Sequence, residues 1–307
     1  MRKISIVLIL LFSISSFYAF AEGGREVQPI SAVAKVEAGI TVIDSYNRSV
    51  TIPEPALRVV SAAPSVTETI FALGKGDTLV GRTDYCDYPE EAKSIKSIGS
   101  LQEPDIEAIA ELAPDIVIAS THFKKESVDK LTALSIPVVV LADQDSFEGV
   151  YTTINKIARL TGSEDSGVAL ISSMKQTVDS VILAVRGKKT PSIYYVIGFG
   201  EYGDFTAGGD TFINQIIEMA GGNNIAKGIK GWSFSLEKIV DSDPDILVCS
   251  KYWNAKKSIL AANGYKDLRA VKSGNLFEID NNMLDRQGPR LADGLKALAE
   301  IIHPDAF

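Results

Sequence analysis

The chain carries the same helix-to-strand segment twice. Residues 106–118, IEAIAELAPDIVI, are matched 130 positions later by residues 236–248, LEKIVDSDPDILV. Identical residues at key positions are Glu107 with Glu237, Pro114 with Pro244, and Asp115 with Asp245. In each copy an acidic residue opens a short helix with apolar periodicity, a proline stops it, and a β-branched run follows. The repeat therefore predicts two lobes of related design.

Both copies of the strand run into bulky ring side chains. The first strand ends at Ala119 and is followed by His122 and Phe123, while the second is followed by Tyr252 and Trp253. In open α/β sheets ligands bind outside the carboxyl ends of the strands. We therefore expect these rings at a ligand site. The alternatives are core packing for Phe123 and an ordinary packed or solvated side chain for His122.

The first 21 residues have the features of a secretory signal. Arg2 and Lys3 precede an apolar stretch, and Ala19-Phe20-Ala21 forms an A-x-A cleavage site before Glu22. We expect export to the periplasm or another extracytoplasmic space, with cleavage after this site. The alternative is a retained signal that anchors the chain in the membrane.

Charge and cysteine content narrow the class of protein. The chain beyond the signal contains 29 of the 31 Lys and Arg residues and all 39 Asp and Glu residues, so its net charge is near −10. Nucleic acid is an unfavourable partner at that charge.

The two cysteines, Cys86 and Cys249, fall in different predicted lobes, and Cys249 ends an apolar strand. We expect a buried Cys249 thiol and no disulfide.

Hydrophobic periodicity divides the chain into five segments. They are a signal peptide at 1–21, an N-terminal leader and candidate hairpin at 22–57, an N-terminal α/β lobe at 58–142, a connecting helix at 143–186, and a C-terminal α/β lobe at 187–307. The connector has apolar residues at helical spacing and a bend at Thr161-Gly162. The predicted fold class is α/β, with two Rossmann-like lobes, each with a central sheet, joined by one long backbone helix.

Local signals give the first elements. The segments 41–44 and 49–52 flank a turn at 46–48 and are typical of a hairpin. A strand at 59–62 is followed by Ser65-x-x-Glu68, which has the spacing of a helix capping box.

Motifs for catalysis or cofactor binding are weak. Residues 198–203, GFGEYG, match G-x-G-x-x-G, but the next helix starts only near Thr211, so the dinucleotide-binding interpretation fails. The two histidines, His122 and His303, are too few for a His-rich zinc site, and we expect His303 at the surface. G-x-S-x-G, H-E-x-x-H and Walker A sequences are absent. We therefore expect no enzymatic activity, no cofactor and no bound metal ion.

The duplicated acids Glu107 and Glu237 have two interpretations. Carboxylates in the first turn of a helix are stabilised by the helix dipole. Alternatively, two lobes related by pseudo-twofold symmetry would present these acids at matched surface points, where a dimeric partner could bind both through arginines. We favour docking, because the dipole explains an acid in each helix but not its duplication.

The chain resembles the helical-backbone periplasmic binding proteins that serve ABC importers of vitamin B12 and ferric siderophores, over nearly all of residues 58–303. Several stretches are similar to the vitamin B12-binding branch. They are Tyr85-Cys86-Asp87-Tyr88-Pro89, Phe205-Thr206-Ala207-Gly208-Gly209-Asp210, Asn214-Gln215, Gly221-Gly222-Asn223-Asn224-Ile225 and Gly288-Pro289-Arg290. Leu101 stands where that branch carries an aromatic residue.

The resemblance implies a site and two partners. Glu107 and Glu237 would dock onto arginines of a permease dimer, one on each half. Tyr85 would stack on the ligand, with Trp232 facing it from the other lobe. Together with the strand-end rings, the predicted ligand-binding residues are Tyr85, His122, Phe123, Phe205, Trp232, Tyr252, Trp253 and Arg286. Broad apolar faces with polar edges suit a large ring chelate.

The sequence therefore predicts a monomeric solute-binding protein that delivers a metal chelate, with cobalamin favoured, to an ABC importer. A ferric-siderophore or haem receptor is the first alternative; there His122, Tyr252 or Tyr85 would ligate iron and Arg286 would pair with acidic groups of the ligand. Further alternatives are an exported chelatase-type enzyme with His122 as acid/base, and a ligand sensor without a permease.

Overall fold

The computed structural model describes residues 39–142 and 145–307. The predicted signal peptide, 1–21, and residues 22–38 of the predicted leader lie outside the described residues. The strands are β1 (Ile40–Ile43), β2 (Ser49–Ile52), β3 (Val59–Ser61), β4 (Leu79–Arg82), β5 (Ile116–Ala119), β6 (Val138–Val140), β7 (Ser192–Val196), β8 (Asn223–Asn224), β9 (Ile246–Ser250) and β10 (Leu276–Ile279). The helices are α1 (Pro64–Ala72), α2 (Ile106–Glu111), α3 (Lys125–Ala133), α4 (Phe147–Thr161), α5 (Glu164–Val185), α6 (Phe212–Met219), α7 (Leu236–Ser242), α8 (Ala255–Ala261), α9 (Arg269–Lys272), α10 (Asn282–Asp285) and α11 (Leu291–Ile302).

Two parallel four-stranded sheets of identical topology form the lobes. The N-terminal sheet has the order β4-β3-β5-β6 and the C-terminal sheet the order β10-β9-β7-β8. In both, the first strand of the lobe lies between the second and the third, and the duplicated segment supplies the third. The predicted α/β fold of two related lobes is confirmed.

The duplicated Pro-Asp pair has a structural role in each lobe. Asp115 accepts hydrogen bonds at 2.8 Å from the backbone N–H groups of Leu57 and Arg58, just before β3. Asp245 accepts from the backbone N–H of Ser192, at the start of β7, at 2.9 Å, and from its hydroxyl at 2.7 Å. The second copy of the segment therefore ties its strand to the first strand of the lobe as the first copy does.

The predicted hairpin forms and attaches to the N-terminal lobe. Strands β1 and β2 pair antiparallel, and Asn47 in the turn adopts a left-handed conformation, with φ of 57°. The Ser45 N–H donates to the carbonyl of Val140 at 2.8 Å, and the Arg48 guanidinium donates to that of Val138 at 2.9 Å. These bonds fix the hairpin to β6.

Two helices form the connector, because Gly162 takes the left-handed conformation that ends α4. Helix α5 then runs for 22 residues, or about 33 Å. It packs on α4 and on α11, so it joins the lobes. Among the described residues, α5 is also the one helix long and apolar enough to cross a membrane by length and composition alone.

One hydrophobic cluster runs through both lobes and the connector. It includes Ile70 and Ile118 of the N-terminal lobe, Ile154 of α4, and Tyr195 and Leu295 of the C-terminal lobe. The two lobes therefore share a continuous core, and opening them widely would expose apolar surface.

Two local predictions are wrong. The capping box does not form, because α1 begins at Pro64 after an Ala63 cap without a side-chain bond, which places Ser65 and Glu68 inside the helix. His303 is buried instead of exposed, and its Nε2 lies 3.2 Å from the Gly221 carbonyl oxygen. Gly221 allows this approach, since a Cβ there would lie 2.5 Å from Nε2 and the residue has φ of 82°.

Candidate ligand-binding cleft

Two adjoining cavities lie between the lobes, with volumes of about 690 Å³ and about 170 Å³. Thr121, His122, Asp285 and Gln287 line both, so the cavities form one cleft. The larger cavity falls within the range of small-molecule sites, about 300–1,000 Å³. This is the space in which a ligand would contact both lobes.

The carboxyl ends of the central strands build the walls of the cleft. Ala62 and Ala63 follow β3, Thr121 follows β5, and Ile197 follows β7. In the N-terminal sheet, β3 and β5 are neighbours whose connections run in opposite directions, which is where open α/β sheets bind ligands. The fold therefore creates the cleft at the position that the strand order predicts.

Apolar rings form part of the larger cavity. Trp232 lines it and is 49% exposed, so one face is available to a ligand. Phe212 lines it as well, and its ring packs edge-on against Phe147 of the connector at 5.7 Å between centroids. A mostly apolar ligand would find flat surfaces here.

A cluster of charges around the buried Glu68 carboxylate ties the lobes together beside the smaller cavity. Arg286 Nη1 donates to Glu68 Oε1 at 3.0 Å and to Asp87 Oδ1 at 2.7 Å. Arg290 donates to both carboxylate oxygens of Glu68, at 2.7 and 2.8 Å. Its guanidinium also lies 3.9 Å from the ring centroid of Tyr88. We call these five residues the clasp, because the first lobe supplies Glu68, Asp87 and Tyr88 and the second supplies both arginines.

The clasp shifts the titration of its members. Burial alone would raise the pKa of Asp87, but the hydrogen bond and the charge of Arg286 lower it overall. Burial would likewise lower the pKa of Arg286, and the hydrogen bonds to Asp87 and Glu68 raise it overall. Both partners are therefore held in their charged forms.

Asp285 is the carboxylate that faces both cavities. Its Oδ2 accepts a hydrogen bond from the Asn281 side chain at 2.6 Å. Burial raises the pKa of Asp285, while the bond from Asn281 and the charge of Arg286 act in the opposite direction. The next residue but one, Gln287, has a φ of 34°, an unusual conformation for a residue other than glycine, and it too lines both cavities.

The structure brings three of the predicted ligand-binding residues to the cleft. His122 lines both cavities, Trp232 lines the larger one and Arg286 the smaller one. Arg286, however, is engaged by Glu68 and Asp87. Leu101 also lines the smaller cavity.

The other predicted rings stand elsewhere. Phe123 is 2% exposed in the core of the N-terminal lobe, so its assignment to the ligand site is wrong, because the strand-end turn directs it inward. Tyr85, Phe205, Tyr252 and Trp253 are outside the set that lines the two cavities. Their contact with a ligand stays a prediction. Trp253, at 80% exposure, and Tyr85, at 56%, are the most accessible of them.

The sequence analysis did not identify two polar residues that line both cavities, Asp285 and Gln287. Asp285 is the last residue of α10 and Gln287 lies two residues beyond it, both after β10, in a stretch without a motif of its own. Asp285 is far from His122 in the sequence, yet both residues line the same two cavities. The signal that could have found them is their place after the last strand of the second lobe.

The duplicated acids stand at matched helix starts. Glu107 is the second residue of α2, capped by the Asp105 side chain, and Glu237 is the second residue of α7, capped by Ser235. Both carboxylates are exposed. Each can therefore be reached by a partner.

The metal-binding and thiol chemistry of the described chain is limited. Among residues 39–142 and 145–307, no three His, Cys, Asp or Glu side chains cluster in a way that could hold a metal ion. Cys86 and Cys249 are free and buried, as expected for Cys249. Burial raises the pKa of both thiols, that of Cys249 to about 11.

Comparison with known proteins agrees with this architecture. A family model described as periplasmic binding protein matches residues 59–283. An uncharacterized ABC transporter substrate-binding lipoprotein of Bacillus subtilis is 31% identical over 275 residues, covering 87% of each chain. A cobalamin-binding protein of Halobacterium salinarum is 30% identical over 277 residues, covering 86% of this chain and 74% of that protein. The periplasmic heme-binding protein RhuT from Roseiflexus sp. RS-1 superposes with a TM-score of 0.74 at 26% identity, over 81% of this chain and 99% of that one.

Two α/β lobes joined by a backbone helix, with a cleft at the strand ends, define a solute-binding protein of the ABC-transporter class. The chain belongs to the helical-backbone periplasmic binding protein family.

Proposed function

We propose that this protein acts outside the cytoplasm, where it binds a metal chelate in the cleft between its lobes and delivers it to the permease of an ABC importer. A corrinoid such as cobalamin is the favoured ligand. The observation that carries the proposal is the larger cavity of the cleft, of about 690 Å³, which the Trp232 and Phe212 rings line together with polar groups. The similarity to a cobalamin-binding protein supports the choice of corrinoid.

A haem or ferric-siderophore receptor is the second candidate. His122 lines both cavities and offers a nitrogen that could ligate iron. The similarity to a heme-binding protein supports this candidate. Ligation by Tyr252 is less favoured, because its hydroxyl is bonded to Asp280 Oδ1 at 3.1 Å.

Delivery requires a docking surface and a route to release. We assign docking to Glu107 and Glu237, because two exposed acids on matched helices suit a permease dimer with arginines on each half. The shared core and the clasp restrain opening of the lobes. The permease would therefore have to break the clasp to free the ligand.

Titration of the purified protein separates the ligands. Intrinsic fluorescence and calorimetry with cyanocobalamin, haem and ferrioxamine B should show saturable binding of a single chelate molecule, with cyanocobalamin bound most tightly. Tightest binding of haem, with a Soret band typical of His ligation, would favour the second candidate. Failure of all three to bind would contradict a role in chelate capture.

A further inference from the structure

The charges around the cleft are mostly negative. Asp285 lines both cavities, and Asp145 and Asp210 line the larger one. Among the described residues that line the two cavities, Arg286 is the one cationic side chain apart from the titratable His122. A ligand in the cleft therefore meets three carboxylates for one guanidinium.

That guanidinium is already neutralised. Nη1 of Arg286 bonds to both Glu68 and Asp87, and the side chain is only 13% exposed. The neighbouring cation, Arg290, bonds to Glu68 and lies 3.6 Å from Asp280 Oδ2. The charge of each arginine is therefore already balanced by these acids, and moving either arginine onto a ligand carboxylate would take a partner from the buried Glu68.

Two of the carboxylates that line the cleft, those of Asp210 and Asp285, can still accept hydrogen bonds from a ligand. Oδ1 of Asp210 takes the Gly231 N–H at 2.8 Å, and Oδ2 of Asp285 takes the Asn281 amide at 2.6 Å. Each carboxylate has a second oxygen, and an ionised carboxylate only accepts hydrogen bonds. Donor groups such as amides or ammonium on the fringe of a chelate fit these oxygens, whereas a carboxylate on the ligand is repelled.

We propose that Asp145, Asp210 and Asp285 select the ligand by charge, so that the cleft accepts uncharged or cationic chelates with amide or ammonium fringes and rejects chelates with free carboxylates. This selection rests on the proposed function and names the chemical class of its ligand. It places amide-fringed corrinoids and cationic hydroxamate chelates inside the class, and dicarboxylic haem outside it.

Ligand pairs that differ in charge at a single side chain or terminus test the selection. One pair is cyanocobalamin and the monocarboxylic acid made by hydrolysing one of its side-chain amides. The other is ferrioxamine B, which carries a terminal ammonium, and its N-succinylated derivative, which ends in a carboxylate. We expect the first member of whichever pair binds to have an affinity at least about tenfold higher than the second, measured by calorimetry.

Variants of the protein assign the effect to the named residues. Asp210→Asn/Asp285→Asn should reduce the ratio of affinities within a pair to about threefold or less. Asp129→Asn, which removes an exposed carboxylate on α3, should leave the ratio unchanged. Equal affinities for both members of a pair, or a ratio unaltered by the double substitution, would overturn the selection while leaving chelate capture intact. If neither pair nor haem binds, the proposed function fails, and the selection fails with it.

Discussion

Glu68 and Arg290 form a bidentate ion pair between residues 222 positions apart, with Oε1 2.7 Å from Nη2 and Oε2 2.8 Å from Nε. The Glu68 side chain is 2% exposed, so this carboxylate depends on the arginines of the second lobe for its partners. An unpaired buried charge is strongly destabilising. The pair therefore couples the arrangement of the lobes to the stability of the chain.

Replacement of Glu68 by Gln should destabilise the protein. The amide cannot satisfy two guanidinium groups, and we expect a loss of about 3 kcal/mol in the free energy of unfolding measured in urea. Glu103→Gln is the matched control, because Glu103 pairs with Lys124 at 3.4 Å while 83% exposed. Its loss should stay below about 1 kcal/mol. Similar losses in the two variants would contradict the role of the clasp.

The two tryptophans should respond differently to a bound ligand. Trp232 lines the larger cavity, whereas Trp253 is outside the lining set and 80% exposed. Trp232→Phe should therefore remove most of the fluorescence quenching by cyanocobalamin, and Trp253→Phe should keep it. If quenching survives in Trp232→Phe and disappears in Trp253→Phe, the ligand binds at the rim of the second lobe and not in the cavity.

Docking can be separated from ligand binding by a double substitution. Glu107→Ala/Glu237→Ala should leave chelate affinity within about twofold and reduce uptake by cells at least about tenfold, because two charge-assisted contacts to the permease are lost. Glu111→Ala/Asp241→Ala removes exposed acids from the same helices and serves as the control. Normal uptake with the first variant would rule out docking through these acids.

Stability should depend on pH through Asp245. The backbone hydrogen bond from Ser192 lowers the pKa of this carboxyl below its ordinary value of 3.8. Its stabilisation is therefore present above pH 3.8 and is lost as the pH falls through the lower folded pKa. Asp245→Asn should lower the free energy of unfolding by about 1 kcal/mol near neutrality, and the difference should shrink in acid. Urea unfolding from about pH 6 to pH 3 measures this, with Asp241→Asn as a control expected to show no such trend.

Both thiols should be unreactive in the folded protein. Cys86 is 1% exposed and Cys249 is fully buried, and burial raises the pKa of each. A thiol-specific reagent at about pH 8 should therefore react slowly until urea is added, when two thiols become available. Rapid reaction of one thiol without urea would contradict the burial of that residue.

Structural features that depend on a local pattern or on a repeat could be predicted from the sequence. The duplicated segment predicted both lobes, and Gly162 marked the end of α4. The prediction that Glu68 belongs to a helix capping box is wrong. Its partners, Arg286 and Arg290, are more than 200 positions away, so the sequence around Glu68 does not indicate them. The prediction that His303 is exposed is wrong, because its burial depends on a close approach to Gly221 that only the packed fold creates.

The core that passes from one lobe through α4 and α5 into the other couples the stability of the two lobes, because each buries apolar side chains in it. Either half expressed alone would present a large apolar surface to water and would aggregate or remain unfolded. The two sheets have the same strand order, yet each depends on the other lobe and on the connector to complete this core.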